Sequence, residues 1–386
     1  MESNSEPLVV PSLKDIDISG KRILLRFDGD VPVNIDGTLA DTYRLDSVMD
    51  TILYCIDKKA QLTLLAHRGR PKGKVDPALS NQILADYIAA AVKQPVSLVT
   101  EMLGPMPATP ILMLENLRFH SGEESNDTGF AKLLAKFGEI YCNDAFAVSH
   151  RAHASVSALP GLLPHVAGFQ LAKELQALTP LRDYGEAPYV AILGGAKASD
   201  KSPIIADLLD KVDVVVIGGL IAVTYLAAMS QPTGAHKVDP EQVKFAQECI
   251  CRMAQDDIPF VVPVDYINQH GEIKPMYALT GEELMLDIGP ETVKHFDTYI
   301  HKANTVFWNG AMGKSEEPQF SRGTIGVAES IGRSGAETRV SSGGDTVGAI
   351  RNHNLQHYFT FLSTGGGASL EFLAGRELPG ITALRA

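Results

Sequence analysis

The apolar residues of the chain fall mainly into short runs that are rich in valine, isoleucine and leucine. These runs include RILLRF, LTLLA, ILMLEN, EIYC, YVAIL, VDVVVI, PFVVPV, TVFW and FTFLS. An unbroken apolar run is typical of a strand that is buried on both faces of a parallel sheet. The amphipathic stretches between the runs predict helices at 79–93, 127–137, 201–210, 240–255, 290–301 and 323–333. This alternation predicts an α/β fold with helices on both faces of mostly parallel sheets.

Polar and glycine-rich residues follow nearly every predicted strand. RILLRF leads into Asp28-Gly29-Asp30, LTLLA leads into HRGRP, and EIYC leads into NDAFAVSHRAH. Later strands lead into GGAKASDK, NGAMG, SGGDT and TGGG. Ligands of open α/β sheets bind outside the carboxyl ends of the strands. We therefore predict that these segments form the functional site.

The character of the strand ends changes along the chain. Up to about residue 155 they carry aspartate, arginine and histidine, and after about residue 190 they carry glycine with Lys197, Lys201 and Asp345. A length of 386 residues also exceeds one ordinary core. We therefore predict two domains, one for a small anion and one for a nucleotide, with the helical stretch 165–183 as their connector.

The bulk composition excludes several classes of protein. The formal net charge of −12 argues against nucleic acid or an anionic membrane as the main partner. No apolar run approaches the roughly 20 residues of a membrane span, and MESNSEPLVVPS at the start does not read as a signal peptide. The four cysteines fit neither a disulfide framework nor a zinc site. We expect a protein of the reducing cytoplasm.

Positive charge is concentrated at the strand ends of the first half, although the chain as a whole is acidic. One arginine there would by itself be interpreted as solvated or salt-bridged, but several at successive strand ends favour bidentate binding of a phosphorylated acid. Asp28 and Asp30 fit an acid/base pair, metal ligands or an ordinary turn before Pro32, and their spacing does not choose between these. The positively charged set is Arg26, Arg44, His67, Arg70, Arg118 and Arg151.

The second half has the features of a nucleotide site. GGAK, SGGDT and TGGGAS are glycine turns before predicted helices, where backbone N–H groups can approach a phosphate. Several such turns in one domain, with Lys197, Lys201 and Asp345, predict a nucleotide bound together with magnesium. The chain lacks the G-x-x-x-x-G-K-[ST] P-loop and a clear G-x-G-x-x-G fingerprint, which disfavours a standard P-loop enzyme and a dinucleotide site.

The chain resembles the phosphoglycerate kinase family along nearly its whole length. The resemblance lies in RFDGDVP, HRGRPKG, LENLRFH, NDAFAVSHRAHAS, AILGGAKASDK, LDIGP, WNGAMG, SGGDT and STGGGASLEFLAGRELPG, in the family's order. It implies two Rossmann-like three-layer domains with mostly parallel sheets, joined by a connecting helix. The implied boundaries are 1–165 for a 3-phosphoglycerate-binding domain, 166–183 for the helix, 184–365 for a nucleotide-binding domain, and 366–386 for a segment that returns to the first domain.

The resemblance implies reversible phosphoryl transfer between 1,3-bisphosphoglycerate and ADP, giving 3-phosphoglycerate and ATP, in glycolysis and gluconeogenesis. It also implies Mg²⁺ as cofactor, no nucleic-acid or membrane partner, and a monomer. A relative without catalytic activity, acting as a nucleotide-binding or scaffold protein, is the alternative, and the presence of Arg44, Lys201 and Asp345 argues against it. An NAD-dependent dehydrogenase is disfavoured by the missing fingerprint.

The family's motifs imply roles for individual residues. Arg44 and Lys201 are the implied catalytic residues, which stabilise the transferred phosphoryl group. The implied substrate contacts are Asp28, Gly29, Asp30, Arg44, His67, Arg68, Gly69, Arg70, Arg118 and Arg151. The implied nucleotide contacts are Lys197, Lys201, Glu316 at the ribose, Gly343, Gly344, Asp345 and Thr346, with Asp345 also the magnesium ligand.

Several positions differ from the residues that are usual in the family. In the first half, Gly29 and Asp30 replace phenylalanine and asparagine, and Arg68 replaces leucine. The nucleobase preference and the effect of Asp30 on substrate binding are therefore left open by the sequence. The differences in the second half lie mainly near the base and ribose pocket, at Leu220, Met285, Ala311, Lys314, Ser315 and Ser342.

Overall fold

The computed structural model describes residues 10–196 and 202–385, without the side chains of Tyr184, Ser202 and Pro203. Within them the chain forms two compact units. Unit 1 contains the described residues up to Gln176 and those from Glu377 onward, whereas unit 2 runs from Ala177 to Arg376. The chain therefore leaves unit 1 and enters it again near the C-terminus.

Unit 1 is built on a six-stranded sheet in which every strand pair is parallel. Its strands are β1 (Arg22–Phe27), β2 (Gln61–Leu65), β3 (Val96–Val99), β4 (Ile111–Leu114), β5 (Ile140–Asp144) and β6 (His165–Ala167), in the order β3-β4-β2-β1-β5-β6. Its first helices are α1 (Tyr43–Asp57), α2 (Gln82–Val92), α3 (Ser121–Glu124) and α4 (Thr128–Ala135). Helix α5 (Phe169–Tyr184) begins in unit 1 and ends in unit 2.

The core of unit 1 is formed by the central strands and the apolar faces of α1 and α2. β1 is buried from Ile23 to Phe27, as its apolar run predicts, and this buried span also contains the charged side chain of Arg26. Leu64 of β2, Ile52 of α1 and Leu84 of α2 belong to the same buried cluster. Apolar burial of this kind is the main force that holds the sheet and helices together. It fixes the strand ends from which the polar loops emerge.

Unit 2 contains a second six-stranded parallel sheet and a small antiparallel sheet. The parallel sheet has the order β15-β14-β13-β7-β8-β9 and is formed by β7 (Tyr189–Leu193), β8 (Val214–Ile217), β9 (Phe260–Val261), β13 (Thr305–Asn309), β14 (Thr338–Ser342) and β15 (Phe361–Ser363). The antiparallel sheet has the order β11-β10-β12 and is formed by β10 (Asp265–Asn268), β11 (Ile273–Pro275) and β12 (Met285–Ile288). The helices are α6 (Ser202–Leu208), α7 (Gly219–Ala228), α8 (Pro240–Gln255), α9 (Pro290–Ile300), α10 (Arg322–Arg333), α11 (Gly344–Asn352) and α12 (Gly367–Leu373).

Buried aspartates on strands hold the starts of several helices. Asp144 of β5 accepts a hydrogen bond from Leu171 N of α5 at 2.8 Å, and Asp287 of β12 accepts one from Gly323 N of α10 at 2.8 Å. Asp265 of β10 holds α9 in the same way. A carboxylate at a helix start satisfies N–H groups that have no partner within the helix. Burial raises the pKa of both Asp144 and Asp287 to about 7.

The last described residues complete unit 1. Helix α13 (Pro379–Thr382) lies beside the segment that follows β5. Gly380 N donates to Ser149 O at 2.8 Å, and Asn143 Nδ2 donates to Gly380 O at 3.3 Å. A Cβ on Gly380 would lie 2.9 Å from Ser149 Cα, so this contact needs glycine. The buried side chains of Leu378 and Ile381 flank it.

The predicted α/β class and mostly parallel sheets are confirmed by these two sheets. The connector differs from the prediction, because residues 165–167 form β6, where Val166 pairs with Cys142 of β5, and the helix begins at Phe169. Residues 366–376 lie in unit 2, so the chain enters unit 1 again later than expected. β3 and the antiparallel sheet were missed, because these strands are short and three of them are at least partly exposed.

Candidate active site

Loops that follow four strands lie at the carboxyl edge of the sheet in unit 1. β1 is followed by residues 28–30, β2 by the basic loop (residues 66–80), β4 by a turn that carries Arg118, and β5 by a segment that carries Arg151. Because the strands are all parallel, their carboxyl ends share one edge. The basic cluster consists of Arg26 near the end of β1, Arg44 in the first turn of α1, and three residues of these loops, His67, Arg118 and Arg151.

Arg26 and His67 form the buried centre of the basic cluster. Arg26 Nε donates to Ser155 Oγ at 3.0 Å, and Arg26 Nη2 lies 3.0 Å from His67 Nδ1. An arginine nitrogen can only donate, so His67 Nδ1 accepts and the ring proton is on Nε2, 4.0 Å from Asp30 Oδ2. Burial, Arg26 and Arg118 lower the pKa of His67 well below its usual value. The ring is therefore a neutral donor that faces Asp30.

A buried carboxylate that sequence reasoning missed lies beside Arg26. Glu123 Oε1 accepts from Ser155 Oγ at 2.6 Å, and Glu123 Oε2 accepts from Ser155 N at 3.0 Å. Since Ser155 Oγ also accepts from Arg26, one hydroxyl links the cation to the carboxylate. Burial raises the pKa of Glu123, and Arg26 opposes that effect. The segment HSGEES carries no signal for this role, because glutamates are common on helix surfaces.

Arg118, Gly69 and Asp30 are linked through the backbone of the basic loop. Arg118 Nη1 donates to Gly69 O at 2.7 Å, and Gly69 N donates to Asp30 Oδ1 at 2.8 Å. Gly69 has a φ of +59°, which favours glycine. Burial, Arg151 and Arg26 lower the pKa of Arg118 to about 10, so the guanidinium keeps its charge at neutral pH. The structure thus brings these predicted substrate contacts together.

Arg44 is held by the residues that follow β1. Its Nη1 lies 3.1 Å from Asp28 Oδ2 and donates to Asp30 O at 2.7 Å. The Arg44 side chain is still 26% exposed, so part of the guanidinium can reach a ligand. Gly29 is buried between these two aspartates, and a Cβ there would lie 2.6 Å from Leu84 Cδ1. Close packing against the core therefore accounts for this glycine.

The remaining arginines of the first half have different surroundings. Arg70 is exposed, whereas Arg151 is half-buried and its Nε donates to His150 Nε2 at 3.2 Å. Burial and Arg151 lower the pKa of His150 to about 4, so this ring is neutral. Arg68 is buried, and its Nη1 donates to Ser80 O at 2.6 Å. The structure therefore places the predicted substrate contact Arg68 on the backbone of its own loop.

Unit 2 contains a cavity of about 390 Å³ at the carboxyl ends of β7, β8, β13 and β14. This volume is within the usual range for small-molecule sites, which are mostly apolar with a few polar groups. Residues 220, 285, 314 and 315, where the sequence differs from the family, all line it. Its apolar wall includes Leu220, Met285, Leu286 and Met312, and its polar groups are Lys314, Ser315, Glu316 and Asp345.

Close backbone contacts shape one side of this cavity. A Cβ on Gly194 would lie 2.5 Å from Ala311 O, and a Cβ on Gly219 would lie 2.6 Å from Gly195 N. Gly219 also has a φ of +57°. A side chain at either position would force apart the loops that follow β7, β8 and β13. These glycines therefore allow the loops to approach one another.

The start of α11 borders the same cavity. Gly343 precedes the helix with a φ of +104°, and a Cβ on Gly344 would meet no described atom within 4 Å. Asp345 is exposed in the first turn. Thr346 is buried, and its Oγ1 accepts from Gly310 N at 2.8 Å. The positive end of a helix with open space in front of it suits a phosphate.

The described residues fit magnesium better than a metal that needs an all-protein cage. Nowhere in 10–196 or 202–385 do three or more His, Cys, Asp or Glu side chains group so that they could hold a metal ion. Magnesium is usually held by one or two carboxylates together with waters and substrate phosphates. Exposed Asp345 at the cavity is a carboxylate of this kind. Lys197 and Lys201, predicted to bind the nucleotide phosphates, lie outside the described residues.

Comparison with known proteins adds an independent result. Residues 13–376 match the family model described as phosphoglycerate kinase. A phosphoglycerate kinase of Pelotomaculum thermopropionicum is 38% identical over 388 aligned positions, gaps included, and the alignment covers 97% of this chain and 98% of that protein. The structure of phosphoglycerate kinase from Coxiella burnetii has a TM-score of 0.84 at 33% identity, covering 98% of this chain and 99% of that one. The crystal structure of phosphoglycerate kinase from Pyrococcus horikoshii has a TM-score of 0.87 at 28% identity, covering 97% and 98%.

The matches identify a kinase, an enzyme that transfers a phosphoryl group. The chain belongs to the phosphoglycerate kinase family. Membership of this family confirms the predicted function, phosphoryl transfer between 1,3-bisphosphoglycerate and ADP in glycolysis. The matches do not favour the alternative of a relative without catalytic activity. None of the helices in the described ranges is long and apolar enough to span a membrane.

Proposed function

We propose that unit 1 binds 3-phosphoglycerate at the basic cluster and that unit 2 binds ATP or ADP with Mg²⁺ in its cavity. The observation that carries this assignment is the convergence of arginines and a neutral histidine at one sheet edge in an acidic chain. Planar guanidinium groups form paired, charge-assisted hydrogen bonds with phosphate and carboxylate. A small acid with several negative charges is the ligand that this surface complements.

Each group of unit 1 has a role that its chemistry supports. Arg70, Arg118 and Arg151 bind the phosphate of the substrate. His67 donates its Nε2 proton, which the bond from Arg26 keeps on that nitrogen. Asp28 and Asp30 lie at the glycerate end of the substrate. Gly29 and Gly69 have no side chain to offer the substrate; they allow the backbone to pack closely at Gly29 and to adopt a positive φ at Gly69.

In unit 2 the apolar wall of the cavity contacts the nucleobase, and Glu316 binds the ribose. Gly343 and Gly344 let the phosphates approach the start of α11, and Thr346 fixes the neighbouring loop through Gly310 N. Asp345 is the protein ligand of magnesium, and the bound ion would neutralise charge on the phosphates. Lys197 and Lys201 bind the nucleotide phosphates and the migrating group.

The reaction is a direct transfer in which the protein aligns the reactants and offsets charge. The carboxylate of 3-phosphoglycerate is itself the nucleophile, so no general base is needed. Arg44 and Lys201 stabilise the negative charge of the transferring group. The acid and the nucleotide must come into contact during turnover, and water must be excluded, because it would hydrolyse the acyl phosphate.

We also propose a cytoplasmic monomer. All four cysteines are free thiols, which is the usual state in a reducing compartment. The net charge of −12 supports solubility without a nucleic-acid partner. Size-exclusion chromatography with light scattering tests the monomer, and a concentration-independent mass near 41.5 kDa is expected.

A coupled assay with 3-phosphoglycerate and MgATP tests the proposed function. Purified protein should form 1,3-bisphosphoglycerate and ADP, and chelation of magnesium should stop the reaction. Hydrogen exchange assigns the two sites, since 3-phosphoglycerate alone should slow exchange in 66–80 and MgADP alone should slow it in 311–316. Folded protein with no turnover above a Lys201→Ala control would contradict the proposal.

A further inference from the structure

Arg68 is an arginine of the basic loop whose guanidinium is bound to backbone carbonyls of that loop. It is buried, and its Nη1 donates to Ser80 O at 2.6 Å and to Ala78 O at 3.4 Å. These carbonyls belong to the far end of the same loop, so the guanidinium joins the beginning of the loop to its end. Arg70, only two positions later, is exposed. The two arginines of the RGR motif therefore have different surroundings: Arg68 is buried within the loop and Arg70 is exposed to solvent.

Residues that follow β4 hold the same two ends of the loop. Asn116 Nδ2 donates to Arg68 O at 2.8 Å and to Leu79 O at 2.9 Å. Glu115 Oε2 accepts from Ser80 Oγ at 2.7 Å. We call Arg68, Glu115 and Asn116 the loop bracket. Asn116 and Glu115 are buried or half-buried anchors from outside the loop, and Arg68 closes the loop from within.

The bracket encloses the part of the loop that touches other substrate groups. Gly69, next to Arg68, donates to Asp30 and accepts from Arg118 through its backbone. A shift of the Gly69 peptide would therefore move the loop relative to both Asp30 and Arg118. Loops that are not tied down sample many conformations, and a ligand must then order them at a cost in affinity.

We propose that Arg68 is a positioning residue: by closing the basic loop, it presets the anion-binding groups of unit 1 before 3-phosphoglycerate arrives. The inference rests on the proposed function of unit 1. It replaces the predicted role of Arg68 as a direct substrate contact with an indirect one. Methionine could fill the same space, but it could not bond the carbonyls of residues 78 and 80.

The charge of Arg68 is compatible with its buried place. Burial lowers the pKa of the guanidinium, and the nearby carboxylates of Asp30 and Glu115 raise it. Hydrogen bonds from a charged group to carbonyls are stronger than neutral ones, and the 2.6 Å bond from Nη1 to Ser80 O is of this kind, whereas Nε is buried without a described hydrogen-bond partner. The positive charge also partly offsets Asp30, whose carboxylate would otherwise repel an incoming anion.

Arg68→Met tests the proposal because it keeps the length of the stem and removes every donor. The KM for 3-phosphoglycerate should rise about tenfold or more, the usual worth of charge-assisted hydrogen bonds. The kcat and the KM for MgATP should stay near their wild-type values, because bound substrate restores the loop. Hydrogen exchange at Gly69 and its neighbours should be faster in the ligand-free variant than in the ligand-free wild type.

Two further variants separate positioning from loss of charge. Lys74→Met removes an exposed positive charge from the same loop without touching those carbonyls, so its effect should be small and should fade at high salt. Arg68→Lys keeps the charge and a donor, so it should recover part of the affinity and slow loop exchange. The Arg68→Met effect should persist at high salt, since a broken bracket is not screened.

Several results would overturn the proposal. One is an Arg68→Met variant that matches Lys74→Met at every salt concentration, and another is a KM that rises equally for both substrates. Unchanged loop exchange in Arg68→Met would do so as well. If Arg68→Met does not fold, Arg68→Lys is compared with wild type by the same measurements. Inactive wild-type protein would refute the proposed function instead, while loop exchange would still decide whether Arg68 closes the loop.

Discussion

Unit 1 and unit 2 build their candidate sites from different materials. Unit 1 uses long charged side chains held by buried hydrogen bonds, such as those from Arg26 to Ser155 and from Arg118 to Gly69. Unit 2 uses backbone, with Gly219 at a contact that admits no side chain. A site made of side chains is damaged when a group is removed. A site made of backbone is damaged when an atom is added.

The proposed ligands explain why the two solutions differ. A small acid with several charges has little apolar surface, so cations and hydrogen bonds must recognise it. A nucleotide offers a flat base and a ribose, so an apolar wall such as that of Leu220 and Met285 contributes to its binding. Its phosphates can be held by peptide N–H groups at the start of α11.

Removal of Arg44 should have the largest effect. Arg44→Ala should lower kcat by about 10³-fold or more, by analogy with an arginine that stabilises a transferring phosphoryl group. The Kd for 3-phosphoglycerate should change much less, because Arg44 is already paired with Asp28 in the ligand-free protein. Steady-state kinetics and a binding titration on the same preparation separate the two quantities.

A raised KM with unchanged kcat would assign Arg44 to ground-state binding alone. Unit 1 would then have no side chain with an assigned catalytic role. Circular dichroism and thermal unfolding serve as the control, because the partly exposed Arg44 side chain should add little to stability.

Addition of a methyl group should affect unit 2 in two distinguishable ways. Gly219→Ala would place a Cβ 2.6 Å from Gly195 N at a φ of +57°, so it should lower the Tm by several degrees and weaken nucleotide binding. Gly344→Ala is the matched control, because its Cβ would meet no described atom within 4 Å. It should keep the Tm and raise only the KM for the nucleotide, if phosphates lie there.

Thermal unfolding and nucleotide titration of both variants check this contrast. If Gly344→Ala lowered the Tm as much as Gly219→Ala does, the space beside Gly344 would not be open to a Cβ. An unchanged nucleotide KM in Gly344→Ala would remove that helix start from the phosphate site. The description of unit 2 as a backbone-made site would then rest on Gly219 and its neighbours alone.

Exchange of one carboxylate in unit 1 should have the smallest effect. Asp30→Asn should tighten 3-phosphoglycerate binding, since a carboxylate about 6 Å from a substrate charge costs about 3 kcal/mol at an effective dielectric of 20, and under ~1 kcal/mol when water screens it. The Asp30 side chain is 44% exposed, which favours the lower figure and an affinity gain of a few fold. The amide oxygen can still accept from Gly69 N.

Titrations at low and high salt decide this case. A gain at low salt that shrinks at high salt supports repulsion between Asp30 and the substrate. Weaker binding by the Asn variant at both salts would show that the carboxylate is needed as an acceptor. The charge of Asp30 would then not oppose substrate binding, and unit 1 would depend on this side chain as it depends on its arginines.

The features of this protein that could be predicted are those that depend on residues close together in the sequence. The apolar runs predict most of the parallel strands, and because the carboxyl ends of parallel strands share one edge of their sheet, the same runs place Asp28 and Arg118 at one edge in unit 1 and Asp345 at the corresponding edge in unit 2. The direction of Arg68 could not be predicted, since RGR reads the same for an inward and an outward arginine. Glu123 escaped notice because its partner Ser155 is distant in sequence.

The missed strands have a similar physical explanation. β11 has an exposed first residue and ends in Pro275, so it shows neither an apolar run nor a clear alternation. The sequence pattern places β6 in a helix, because its three residues are continuous with the pattern of α5. Its pairing with β5 depends on a neighbour that the local pattern does not contain.

The contact of Gly380 with Ser149 has a consequence for biosynthesis. Residues 177–376 must all be translated before the segment that completes unit 1 exists. A nascent unit 1 therefore leaves the ribosome with an uncovered apolar patch where Leu378 and Ile381 will pack, next to the stretch that carries Arg151. Domains usually fold as units from the N-terminus during synthesis. Here the unit whose N-terminal part is made first is completed last, after all of unit 2 has been translated.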